Sequence, residues 1–206
     1  MELFERDLEF KMDVLREVGN IGAGHAATAL SRLLDKPIDM AVPTVSFVPF
    51  ELIADRVGGS EEVVVAVFLR VDGDAPGNMF FLMSRDQARR LLEGLAGIEP
   101  AESDAYSELE LSALCEIGNI LAGSYLSSLA DLTRLSLTPS VPSVAVDMAG
   151  AILSHGLLQF GTMGDDALLI DTTFLQGRQE AKGHFFFIPD PESFEKLFVS
   201  LGVPLE

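Results

Sequence analysis

The sequence predicts an internally duplicated α+β fold with an antiparallel sheet flanked by helices. Three observations carry this. A segment with helical periodicity occurs twice, 99 residues apart. A buried strand running into a capped helix also occurs twice. In each half the helices precede their strands instead of alternating singly with them, which favours antiparallel pairing. Two such copies most simply share one sheet about a pseudo-twofold axis.

The first repeat is Asp13-Val-Leu-Arg-Glu17-Val-Gly19-Asn20-Ile21-Gly-Ala23-Gly24, matched by Ser112-Ala-Leu-Cys-Glu116-Ile-Gly118-Asn119-Ile120-Leu-Ala122-Gly123. The offset holds on to Leu30 and Leu129, and to Pro43 and Pro142. On a helix, Asp13, Glu17 and Asn20 fall within an arc of about 60°, with Leu8, Leu15 and Val18 opposite and Ile21 flanking. In the second copy Ser112, Glu116 and Asn119 form the polar stripe, and Leu114, Ile117 and Leu121 the apolar one.

Strands are expected at 38–48 and 62–71, then at 143–147 and 167–174, from runs of Val, Ile, Phe and Thr bounded by Gly, Pro and Asp. The second repeat pairs Gly77-Asn-Met-Phe80-Phe81-Leu82-Met-Ser84 with Gly183-His-Phe-Phe186-Phe187-Ile188-Pro-Asp190, at an offset of 106 residues. Ser84 with Gln87 reads as a capping box, and Asp190-Pro191 as an N-cap with proline at the first helical position. Helices at 85–96 and 191–201 follow, with Leu91, Leu92 and Leu95 matching Leu197, Phe198 and Leu201. Each half therefore reads as helix, helix, strand, strand pair, helix. Residues 1–206 are expected to form a single domain, with halves at 1–99 and 111–206 and a polar joint at 100–110.

Composition narrows the function classes. Fourteen basic residues stand against 32 acidic ones, a formal net charge of −18. Phosphates would be repelled instead of shedding counterions onto Lys and Arg, so nucleic acid is not expected as a partner, and an anionic membrane is disfavoured likewise. A partner with a basic docking face is favoured. No apolar stretch reaches the ~20 residues of a spanning helix, and the first eleven residues lack a signal peptide's apolar run, so a soluble, cytoplasmic protein is expected.

The single cysteine, Cys115, excludes an internal disulfide framework and any multi-cysteine metal site. It reads as an inert thiol pointing about 100° away from Glu116. His25, His155 and His184 have no ligand spacing, so no metal is expected on this chain. The Gly19–Gly24 run lacks the Lys-Ser/Thr of a phosphate-binding loop. The phenylalanines at 80–81 and 185–187 read as strand core.

The repeated Glu-x-Gly-Asn has two readings. In one, Glu is a solvated helix former, Asn beside Gly marks a helix end, and the glycines let helices approach. In the other, the polar stripe acts on a partner; spacing alone does not separate the two. No histidine lies on the stripe, and a carboxamide is no base near neutral pH. It can accept from and donate to a water and so fix its direction. In phosphoryl transfer such positioning supplies most of the rate. A carboxylate ionised near neutral pH suits a lysine of the partner.

At these residues the chain resembles the CheC/CheX/FliY family of chemotaxis phosphatases. Its signature, Asp/Ser-x-x-x-Glu-x-x-Asn with proline after 22 residues, is met by Asp13, Glu17, Asn20 and Pro43, and by Ser112, Glu116, Asn119 and Pro142. The resemblance implies hydrolysis of the aspartyl phosphate of the response regulator CheY. Glu17 and Glu116 would pair with the regulator's lysine. Asn20 and Asn119 would enter its site and orient the attacking water. The chain would need no cofactor of its own, and Mg²⁺ would belong to the regulator. The resemblance further implies a partner, the receptor deamidase CheD, contacted through the stretch at 144–150 around Asp147. The rival expectation is a non-catalytic module that sequesters CheD or sits at the flagellar switch.

Overall fold

The computed structural model describes residues 2–42, 44–99, 105–160 and 166–201, with the side chains of 2–11, 155–160, Asp166 and Phe198 excepted. Of the expected features, Pro43 and residues 100–104 of the joint lie outside the described residues, and so do the side chains of Leu8, His155 and Phe198.

The chain runs α1 (Glu2–Leu34), β1 (Asp39–Ala41), β2 (Val45–Pro49), a 3₁₀ turn (Phe50–Leu52) leading into α2 (Ile53–Arg56), β3 (Val63–Gly73), β4 (Gly77–Ser84) and α3 (Arg85–Arg90), which ends in a π-helical turn (Leu91–Ala96). The second half repeats this as α4 (Glu108–Thr133), β5 (Leu137–Pro139), β6 (Ser143–Met148), α5 (Ala149–Phe160), β7 (Asp166–Gln176), β8 (Gln179–Pro189) and α6 (Pro191–Ser200).

The duplicated α+β architecture is as expected, but the order inside each half differs. One long helix leads, and the second helix follows the short strands β2 and β6 instead of preceding them. The glycines of the repeat do not break α1. Gly22 lies under the Tyr125 ring, where an added Cβ would stand 2.4 Å from Cδ1. Close packing of this kind outweighs the roughly 1 kcal/mol that each helical glycine costs.

All strands pair antiparallel in one sheet, ordered β1-β7-β8-β4-β3-β5, with β2 also on β7 and β6 also on β3. The halves exchange their short strands: β1 and β2 pair with β7 of the second half, β5 and β6 with β3 of the first. At the centre β4 meets β8 with Phe80 opposite Phe186. That pair is separated by the repeat offset itself, so the register maps onto itself when the halves are swapped. The packing is reciprocal too. A Cβ on Gly77 would stand 2.7 Å from Phe187 Cε2, and one on Gly183 2.3 Å from Phe81 Cε2. Each half's phenylalanine ring fills the space over the other half's glycine.

Alternation along the strands divides the core in two. On one face Val65, Val67, Met79, Phe81, Ile170, Phe185 and Phe187 pack under α1 and α4. On the other, Val64, Ala66, Phe80, Leu82, Leu169 and Phe186 pack under Ile53 of α2 and Ile152 and Leu153 of α5. The phenylalanines at 80–81 and 185–187 are buried in these two layers.

Ser84 caps α3 by accepting from the Gln87 N–H, but the Gln87 side chain accepts from Lys182 N–H at 2.8 Å instead of closing the box. The complete capping box is at α4. Ser107 Oγ accepts from Glu110 N–H, while Glu110 Oε2 accepts from the Ser107 N–H and Oγ–H at 2.7 Å each. Asp190 turns its carboxylate to both terminal nitrogens of Arg70. No helix among the described residues is long and apolar enough to cross a membrane.

Candidate functional site

Two helical faces come out of the repeat. On α1, Leu15 and Val18 are each 3% exposed and turned to the core, while Asp13, Glu17 and Asn20 are exposed. On α4, Leu114, Ile117 and Leu121 are buried, Ser112 and Glu116 are exposed and Asn119 is half-buried. The polar and apolar stripes therefore separate as the helical spacing predicts. Ile21, which flanks the stripe, is 42% exposed.

The structure divides the repeated tetrapeptide between packing and surface. Gly118 lies against the sheet, where a Cβ would be 2.6 Å from Val67 Cγ1. Gly19 faces Val42, Val45 and Ile170. The glycine thus belongs to the helix–sheet contact in both copies. Asn20 marks no helix end, because α1 continues to Leu34, and α4 likewise runs past Asn119 to Thr133. Packing accounts for the Gly, while the Glu and Asn side chains of both copies make no hydrogen bond or ion pair among the described residues.

The surroundings of the two faces differ. Arg16 Nη1 pairs with Asp13 Oδ1 at 2.6 Å, on the open surface. The position 99 residues on is Cys115, whose Sγ–H points to the Pro142 carbonyl at 3.6 Å. That contact ties α4 to the segment ahead of β6 and places the signature proline beside the second face. Burial, and secondly the Glu116 carboxylate, push the Cys115 thiol above its ordinary pKa, as expected of an inert thiol. Beyond Pro142, Val141 is 89% exposed.

The two histidines with described side chains serve other contacts. His25 Nδ1 lies 3.5 Å from Ser128 Oγ across the α1–α4 crossing, and His184 Nδ1 lies 2.7 Å from Asp171 Oδ1. Among the described residues no cluster of three or more His, Cys, Asp or Glu side chains is placed to hold a metal. An open groove along the C-terminal turns of α1 and the segment that follows is lined by Gly24, Thr28, Arg32, Lys36 and Asp39, and neither Glu–Asn pair lines it. Asp147 lies on β6, paired only with β3 among the described strands, with Val146, Asp147 and Met148 exposed.

The chain is similar to known proteins. The model of the CheC-like family matches residues 10–47 and 109–146, the two segments that hold the repeat. The CheY-P phosphatase CheC of Bacillus subtilis is 47% identical over 209 aligned positions, covering all of both chains. The flagellar motor switch phosphatase FliY of the same organism is 28% identical over 66% of this chain and 35% of its own length. In fold, the crystal structure of Thermotoga maritima FliY aligns with a TM-score of 0.70 over 93% of this chain and 95% of that one, at 22% identity.

Proposed function

The chain belongs to the CheC-like family, and from that premise we propose that it is a hydrolase that removes the aspartyl phosphate of a phosphorylated CheY-type response regulator. The observation that carries the reading is the Glu–Asn pair, present twice on helices whose glycine is accounted for by packing, with Glu17, Asn20 and Glu116 exposed and Asn119 half-buried.

In this reading a motif helix lays its exposed stripe against the regulator. Glu17 or Glu116 takes a lysine ammonium of the partner and fixes the helix. Asn20 or Asn119 enters the phosphorylated site, accepts from a water and holds its oxygen in line with phosphorus. The new P–O bond forms as the bond to the aspartyl oxygen breaks, giving inorganic phosphate and a free carboxylate. Mg²⁺ held by the regulator would offset the developing charge. This chain supplies no general base; its share is orientation. Its exposed β6 edge with Asp147 supports a second contact, with CheD, alongside the phosphatase activity and not in its place.

The test adds the purified protein to a phosphorylated receiver with Mg²⁺ and follows phosphate release. Asn20→Ala with Asn119→Ala lowers the accelerated rate by ~100-fold or more. An unchanged rate would falsify the proposal and favour the non-catalytic module. Glu17→Ala with Glu116→Ala raises KM more than it lowers kcat.

A further inference from the structure

The two motif copies agree at Glu, Gly and Asn but not one turn before the asparagine. Arg16 stands four residues ahead of Asn20, on the same side of α1, and Cys115 stands four residues ahead of Asn119. The Arg16 side chain is 51% exposed and its one partner among the described residues, Asp13, is 71% exposed. Cys115 is half-buried and turned in to Pro142. The same azimuth thus carries a solvent-facing guanidinium in the first copy and a closed protein contact in the second.

Arg16 is notable against a net charge of −18. An exposed surface pair such as Arg16–Asp13 contributes about 0–1 kcal/mol, so the guanidinium can leave Asp13 for a better acceptor at little cost. A phosphorylated, Mg²⁺-holding site needs carboxylates around it, and a planar guanidinium fits a carboxylate or phosphoryl group two-pronged. Resting on the phosphatase reading of these faces, we infer that Arg16 is a specificity-determining residue of the first site. It takes an acidic group on the rim of the docked regulator, a contact that the second site, with Cys115 closed onto Pro142, does not offer. The first site then docks its target through two charged groups, Glu17 and Arg16, and the second through Glu116 and the apolar Val141 beside Pro142.

The test isolates each site. Glu116→Arg with Asn119→Ala blinds the second, and Glu17→Arg with Asn20→Ala blinds the first. Phosphate release and binding of a beryllofluoride-loaded receiver are both measured between about 0.05 and 0.5 M NaCl, where exposed charges become screened. With the first site alone, Arg16→Gln raises KM and Kd at low salt by about three- to five-fold, flattens their salt dependence and leaves kcat within two-fold. Arg16→Lys restores most of the salt dependence. Arg56→Gln, which removes the same charge from α2 on the opposite face of the sheet, changes neither KM nor Kd. With the second site alone, salt dependence is shallower than with the first. If Arg16→Gln leaves KM, Kd and the salt slope of the first site unchanged while turnover is normal, this inference fails and the phosphatase reading stands. Binding that depends on Arg16 without any phosphate release keeps the inference and removes the phosphatase. Binding at neither isolated site removes both.

Discussion

Asn20 and Asn119 sit 99 residues apart on helices that share one face of the sheet, yet their neighbourhoods diverge. Around Asn20 the surface is open and charged, with Arg16 bound to Asp13. Asn119 is half-buried, and the Cys115–Pro142 contact closes its flank. The difference extends into the helix crossing: Tyr125 of α4 lies over Gly22 of α1, and the position 99 residues before Tyr125 is Ala26, fully buried. Two copies that differ in flank, crossing and exposure while keeping one Glu and one Asn on the outer face separate what the surface chemistry needs from what each helix needs to pack.

The largest expected effects test whether the two faces are equal. Asn20→Ala leaves the second site and Asn119→Ala the first, so each single variant keeps part of the activity that the double variant loses. The Asn119→Ala protein should retain the steeper salt dependence. Equal residual rates with identical salt profiles would show that the flanking differences are immaterial to docking.

Next in size is an effect of pH on the crossing itself. The Tyr125 ring packs 4.8 Å from the Phe185 centroid, and its hydroxyl lies 3.1 Å from Thr172 Oγ1. Burial pushes its pKa from 10 up to about 12, with the Thr172 hydrogen bond acting weakly the other way. Between these values the unfolded chain has released the phenolic proton and the folded chain still holds it. Stability therefore falls as pH rises from about 10 to 12, by about 2–3 kcal/mol from this group. Urea unfolding across that range reads it directly. Tyr125→Phe costs about 1 kcal/mol at neutral pH and removes most of the alkaline slope. A slope that persists in the variant would place the titrating group elsewhere.

Much of this arrangement was legible beforehand because it is periodic. The stripes of α1 and α4, the buried phenylalanines and the paired strand–helix segments follow from spacing and composition alone. What escaped depends on contacts between distant residues. The exchange of short strands is invisible because β1 and β5 span three residues each and carry almost no pattern. The place of α2 was missed for the same reason, since it is four residues long. The Ser107–Glu110 box was readable as Ser-x-x-Glu but was submerged in the polar joint. The candidate site residues stand out in the sequence through duplication; the closing of Cys115 onto Pro142, 27 residues on, has no local signature.

The smallest predicted effect concerns the one motif residue that packing explains. A methyl group at Gly118 would stand 2.6 and 2.8 Å from Cγ1 and Cβ of Val67, a buried β-branched side chain with little rotamer freedom. Helix or strand must shift, and Gly118→Ala should cost about 1–3 kcal/mol. At Gly19 the nearest atoms, on Val42 and Val45, are 3.4 Å away, an ordinary contact. There the added methyl also raises helix propensity, so Gly19→Ala should be neutral or stabilise by about 0.5–1 kcal/mol. Denaturant midpoints of the two variants, compared at constant m-value, decide the matter. Opposite signs would mean that the repeated glycine follows the space over each strand, with the second copy seated more tightly. If both variants keep full stability yet lose phosphate release, the glycine serves approach of the docked partner instead, and the division between a packing Gly and a working Glu–Asn pair fails.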